Sequence, residues 1–326
     1  MIEIITHPAF IWTVVGLVAA GLLLIPITFV VASYYVYTLT LRRNSEDQWS
    51  RDLPSSLDPL SVAMYEAGQE WAKENAHRMS EVHTVRDGLN LYGEYYDFGS
   101  DRCTVILSGR TETLKYGYYF AIPYSKYGTN ILVLDPRAHG KSEGKFNTVG
   151  FEESEDLLVW LDHIKKEKGV KSFILHGICI GAGGGMLALT SGRAPDYIEA
   201  IVTEGMFPNF SESMKNHLIE RKKPVFIMND LIDLWMKHYT GHSMKKGPID
   251  VISRLDRPLL MLHSKEDNYS TPEYAQKLFD LAGCEKKKIV WFPHGRHSML
   301  RITDTEKYDK SIEEFLNEIT NTVKEK

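Results

Sequence analysis

The chain has 326 residues, 43% of them hydrophobic and 25% charged, with a formal net charge of -5. That length supports a sizeable core, and the balance excludes a disordered or collagen-like chain and a nucleic-acid binder, which needs Lys and Arg gathered on one face. Cys103, Cys179 and Cys284 stand far apart in no CxxC pair, so no disulfide framework and no cysteine metal site is expected, and any special cysteine acts alone.

From Ile4 to Leu41 there is no Asp, Glu, Lys or Arg, and the run from Phe10 to Tyr37 is rich in aliphatic and aromatic residues. A bilayer needs about 20 apolar residues, so this stretch predicts a single membrane-spanning helix. Trp12 near one end and Tyr34, Tyr35 and Tyr37 near the other suit the two water interfaces, and Pro26 is the place for a kink. The run is too long for a cleaved signal peptide and too uniformly apolar for a core helix. Arg42 and Arg43 follow it while Glu3 precedes it, which by positive-inside counting puts the remainder in the cytoplasm. The expected organisation is an anchor at 1–43, a polar linker at 44–60 broken by Pro54 and Pro59, and one catalytic domain at 61–326.

After a helix at Ser61 to His77, short apolar runs alternate with amphipathic segments. Strands are predicted at Glu81 to Arg86, Leu89 to Asp97, Thr104 to Leu107, Asn130 to Leu134, Ser172 to Leu175, Ala200 to Val202, Pro258 to Leu262 and Lys288 to Phe292. Phe151 to Lys168 reads as a helix with Leu157, Leu158, Leu161 and Ile164 on one face, and Pro272 to Ala282 and Thr305 to Val323 read similarly. The pattern is an α/β fold, a doubly wound and mostly parallel sheet led in by an antiparallel pair, with the site at the carboxyl ends of the strands.

The fifth strand runs into His176-Gly177-Ile178-Cys179-Ile180-Gly181-Ala182-Gly183, with a helix-compatible segment behind it. This is a nucleophile elbow with Cys in place of Ser, where glycines two residues to either side remove collisions on a tight strand-to-helix turn. A helix N-terminus there also favours the Cys179 thiolate. A dinucleotide fingerprint would need Gly at Met186, and a phosphate loop ending in Gly140-Lys141-Ser142 would need Gly at Asp135, so no nucleotide cofactor is expected.

On such a fold the acid and the histidine follow the nucleophile in that order, each just past a later strand. The seventh strand leads into Lys265-Glu266-Asp267-Asn268, making Asp267 the acid and Glu266 the alternative. The eighth leads into Pro293-His294-Gly295-Arg296-His297. His297 lies further along the loop, where it reaches back over the sheet, so it is the base and His294 the alternative.

With these residues in place the chain resembles the α/β-hydrolase superfamily, in particular bacterial membrane-anchored hydrolases with one N-terminal span. Asp135-Pro136-Arg137-Ala138-His139-Gly140-Lys141-Ser142-Glu143-Gly144 is similar to that family's D-x-R-G-H-G-x-S-x-G turn. Gly241-His242-Ser243-Met244 with Pro248-Ile249 resembles the stretch that closes its cap. The cysteine at the elbow is similar to that of dienelactone hydrolases, whereas the family usually has Ser. After the third strand the usual His-Gly is replaced by Ser108-Gly109-Arg110. The resemblance implies a structural role for Arg137 and His139, and an oxyanion hole from the backbone N–H groups of Ile180 and Arg110.

The reading is a hydrolase of ester or thioester acyl substrates, small or lipid-like, working through Cys179, His297 and Asp267 and an acyl-thioester. The same intermediate serves an acyltransferase. A catalytically silent binding protein of the same fold and a peptidase are the other readings. Residues 207–253 are expected to form an apolar cap; Cys103 and Cys284 are expected to be inert.

Overall fold

The computed structural model describes residues 7–49 and 58–324. Glu3, Ile4 and Pro54, on which parts of the reading above rest, lie outside the described residues. The first element, α1 (Pro8–Thr40), is apolar throughout, runs through Pro26 without interruption, and is long enough to cross a membrane. After α2 (Pro59–Glu74) come β1 (Met79–Arg86), β2 (Leu89–Tyr96), β3 (Arg102–Leu107), α3 (Leu114–Tyr127), β4 (Asn130–Leu134) and α4 (Phe151–Lys168). Then follow β5 (Ser172–Ile178), α5 (Ile180–Leu189), β6 (Ile198–Glu204), α6 (Phe210–Glu220), α7 (Met228–Thr240) and β7 (Leu259–Ser264). The chain ends with α8 (Pro272–Leu281), β8 (Lys287–Phe292), α9 (Leu300–Thr303) and α10 (Thr305–Lys324).

The eight strands form one sheet in the order β1-β2-β4-β3-β5-β6-β7-β8. β2 pairs antiparallel with β1 and β4, and the remaining pairs are parallel. This is the doubly wound arrangement with an antiparallel lead-in. Parallel strands are buried on both faces, and β4, β5 and β7 are accordingly near-continuous apolar runs. One face is covered by α4, α5 and α8 through Leu157, Trp160, Met186 and Leu278. The other is covered by α3 and α10 through Phe120, Tyr124, Tyr308 and Leu316, and this core continues into α6, α7 and the end of α1.

Helix α3 has no counterpart in the sequence reading. Tyr116, Tyr118, Tyr119 and Tyr124 are all buried along it and Pro123 sits in its last turn, so neither a clean apolar stripe nor a helix-favouring composition marks it. The strand predictions at β5, β6 and β7 stop two or three residues short, because strand pairing carries β5 to Ile178, β6 to Glu204 and β7 to Ser264.

The expected linker does not begin as a free tether. Tyr37 and Leu41 are fully buried, and Tyr37 stacks on Tyr239 of α7 at 5.6 Å. Trp235 Nε1 donates to Ser33 Oγ at 3.0 Å, and Arg42 donates to the Tyr34 hydroxyl at 2.9 Å while lying over the Tyr239 ring. Downstream, Arg43 N donates to Lys145 O, Gly140 N donates to Trp49 O, and buried Trp49 stacks on His139 at 4.7 Å. Residues 42–49 are thus a strap packed on the turn after β4, and α1 and α7 meet side by side.

Candidate active site

Cys179 is the N-cap of α5 and has φ 51° and ψ -111°, a conformation that costs a side-chain-bearing residue of order 1–3 kcal/mol. Its neighbours leave no alternative. A methyl on Gly177 would lie 2.4 Å from Ala182 Cα, and one on Gly181 would lie 2.1 Å from Leu107 O, so the turn is wedged between its own helix and the end of β3. The loop after β3 crosses directly over it, since a Cβ at Gly109 would stand 3.7 Å from Cys179 Cβ. This loop is held by Glu112, whose Oε2 accepts from Gly109 N at 3.1 Å, and by Ser108 Oγ, which donates to Thr113 O. The sequence reading missed Glu112; its signal was an acid three residues past Gly109, in the loop after β3.

His297 Nδ1 donates to Asp267 Oδ2 at 2.7 Å, because a carboxylate only accepts. The imidazole and Cys179 share the wall of one cavity. Asp267 Oδ1 accepts from Tyr269 N and Ser270 N, both at 2.8 Å, so each of its oxygens is occupied and the side chain is buried. Burial alone would push His297 down, but Asp267 and Cys179 hold it well above its ordinary value. Burial would likewise raise Asp267, and the His297 charge and hydrogen bond overcome it and lower the carboxyl.

The two alternatives, Glu266 and His294, pair with each other at 2.9 Å in an exposed position outside this group. Arg137 makes a bidentate ion pair with buried Asp156, with hydrogen bonds of 2.7 and 2.6 Å, and braces the turn after β4. Asp135 in the same turn accepts from Leu114 N and Lys141 N, both at 2.9 Å. Cys103 and Cys284 are buried, and burial raises both thiols.

Behind the elbow lies a polar network absent from the sequence reading. Glu204, at the end of β6, accepts from Tyr308 Oη at 2.6 Å and from Leu300 N at 3.0 Å, while its backbone oxygen accepts from Cys179 N. Burial raises this carboxyl to about 7. It ties the elbow to the segment just past His297. Its sequence signal was an acid at a strand end beside the elbow strand.

Cys179 and His297 open on a cavity of about 230 Å³ whose other walls include Arg110, Tyr116, His217 and Tyr269. The Tyr269 ring meets His297 edge-on at 5.5 Å. Among the described residues no cluster of His, Cys, Asp or Glu could hold a metal ion.

An eight-stranded sheet of this order, with an elbow after β5, an acid after β7 and a histidine after β8, has the α/β-hydrolase fold. No family model matches the chain. Among curated proteins it is similar to the uncharacterized protein YqkD of Bacillus subtilis, 26% identical over 223 residues, which cover 68% of this chain and 71% of that one. It is also similar to lysophosphatidylserine lipase ABHD12 of Danio rerio, 25% identical over 180 residues, 52% of this chain and 44% of that protein. The chain thus spans less than half of that lipase. Among solved structures, the Pyrococcus furiosus esterase Pf2001 superposes with a TM-score of 0.64 at 20% identity, covering 76% of this chain and 93% of the esterase.

Proposed function

We propose that this protein is a membrane-anchored hydrolase of ester or thioester acyl substrates in which Cys179 is the nucleophile, His297 the base and Asp267 the acid that orients it. The observation that carries the reading is the Asp267–His297 hydrogen bond beside Cys179, a residue at a strained elbow that shares one cavity wall with His297. Cys179 Sγ attacks the acyl carbon and its proton passes to His297. The backbone N–H groups of Ile180 and Arg110 receive the developing oxyanion, a contribution of about 3 kcal/mol per donor. The tetrahedral intermediate collapses, the leaving alcohol or thiol takes the proton from His297, and an acyl-thioester remains on Cys179. Water, deprotonated by His297, then releases the acid and restores the thiol.

A thiolate leaves more readily than an alkoxide, so plain alkyl esters tend to fall back to substrate, and activated donors suit this nucleophile better. Lipid esters fit the anchor and the similarity to a lysophosphatidylserine lipase. In this reading α1 crosses the bilayer once, and Arg42 and Arg43 keep the domain on the cytoplasmic side.

Intact-mass spectrometry of the full chain in detergent, exposed to activated acyl esters and thioesters, tests the proposal. The expected result is one acyl adduct that is lost in Cys179→Ala and His297→Ala. A folded protein that forms no adduct with any donor overturns it in favour of a binding role, and an adduct discharged only by added amines or alcohols identifies an acyltransferase.

A further inference from the structure

The end of α1 forms a wall of a second cavity. A groove of about 640 Å³ lies between this helix and the cap, with Phe29, Ala32 and Val36 on one side and Leu218, Pro224 and Met228 on the other. Positions 29, 32 and 36 fall on one helix face by their spacing, while Ser33 and Tyr37 hold the adjoining face against α7. Arg110 and His217 line both this groove and the catalytic cavity, so the two adjoin at those residues.

Helix length sets the level of the groove. A hydrocarbon core of about 30 Å takes roughly 20 residues at about 1.5 Å each. Helix α1 has 33 residues, and those from Pro8 to Thr28 already span that thickness. The part that touches the cap is what remains, so the groove opens at the bilayer surface. The loop between α6 and α7 supports the same level. It exposes Arg221, Lys222 and Lys223 next to Phe226, which is 81% exposed, and Ile227. Cations for the headgroups beside apolar side chains for the acyl boundary are the composition of an interfacial segment. Arg221, Lys223 and Pro224 of this loop also line the groove.

Resting on the acyl-hydrolase reading, we propose that this groove receives the hydrocarbon chain of an acyl ester drawn sideways from the bilayer, with Ala32 and Val36 of α1 setting the chain length accepted. The catalytic cavity, at about 230 Å³, falls below the roughly 300–1,000 Å³ of ordinary ligand clefts and holds the acyl carbon with a short stretch of chain. A longer chain passes the junction at His217, whose imidazole burial lowers to about 4 and so keeps uncharged. The helix is therefore a substrate-binding wall as well as an anchor.

The test uses the full chain in phosphatidylcholine–phosphatidylglycerol vesicles with p-nitrophenyl esters from butyryl to palmitoyl. Ala32→Trp and Val36→Trp are expected to lower the palmitoyl-to-butyryl ratio of kcat/KM at least tenfold, while Leu24→Trp, on the lipid-facing stretch, leaves it unchanged. An unchanged ratio in both groove variants overturns the proposal. Because a tryptophan there also strains helix docking, a second measurement uses the Cys179→Ala chain and a palmitoyl ester with a terminal diazirine. Label on peptides covering residues 28–40 and 210–228 supports the groove, and label confined to residues 8–27 overturns it. Failure of the wild-type chain to hydrolyse any ester overturns the hydrolase reading instead, and the photolabel then decides the groove alone.

Discussion

Two glycines three residues apart in the same helix should respond in opposite ways to the same substitution. A methyl at Gly181 would stand 2.1 Å from Leu107 O and 2.8 Å from Ser108 O, both backbone atoms at the end of β3. Carbon and carbonyl oxygen settle no closer than about 3.3 Å, so in Gly181→Ala the start of α5 must retreat from β3 by about 1 Å. Overpacking of this kind costs about 1–3 kcal/mol of stability. The retreat also parts Cys179 and Ile180 N–H from the loop carrying Gly109 and Arg110, and a misplacement of about 1 Å at reacting groups costs on the order of 10²-fold in rate. At Gly184 the nearest atoms to an added methyl are Gly150 Cα at 3.5 Å and Gly150 O at 3.6 Å, ordinary contacts. Gly184→Ala should therefore gain about 0.5–1 kcal/mol from helix propensity and keep its activity. Urea unfolding of the full chain in detergent, followed by tryptophan fluorescence, reads the stabilities, and the rate of Cys179 acylation reads the site. Wild-type acylation by Gly181→Ala, or equal damage from both substitutions, would refute the argument.

Asp267→Asn keeps the shape of the acid but presents an amide to His297 Nδ1, which reverses the tautomer and turns a donor towards Cys179. Acylation should fall on the order of 10³–10⁴-fold, with the His297 limb of the pH–rate profile moving to lower pH; a loss under tenfold contradicts the assignment. Glu266→Gln and His294→Gln alter an exposed pair outside the candidate site and should leave acylation within about twofold of wild type, as steady-state rates will show. Burial raises Glu204 from 4.5 to about 7, so in that window the folded chain holds a proton that the unfolded chain has lost, and stability falls as pH rises through it. Glu204→Gln should lack this slope and exceed wild type above pH 7 by up to about 3 kcal/mol; parallel urea-midpoint curves from pH 5 to 8 would contradict it.

Much of the candidate site was legible because the residues proposed for it stand at strand ends. The elbow needs glycines at Gly177 and Gly181 whatever the distant surroundings, and the order of nucleophile, acid and histidine follows from chain topology. The choice between adjacent acids and between two histidines on one loop was a weaker inference. Glu266 and Asp267 are adjacent in the turn after β7, yet Asp267 bonds to buried His297 and Glu266 to exposed His294. Helix α3 was invisible because its tyrosines bury their rings while their polar atoms find partners, such as Tyr118 Oη to Glu94 and Tyr124 Oη with His176, which a pattern of apolar letters does not register.

The sequence by itself determined the membrane-length apolar helix, the alternating α/β order and the elbow, since each depends on local composition, periodicity or spacing. Only the tertiary structure decided that Glu112 supports the loop above Cys179, and that Glu204 ties the elbow to the segment past His297. It alone seats the last turns of α1 against α7. Apart from Glu112 and Gly109, which are neighbours on one loop, those contacts join residues about 100 to 200 positions apart, as with Ser33 and Trp235, and they depend on burial and close packing between distant segments.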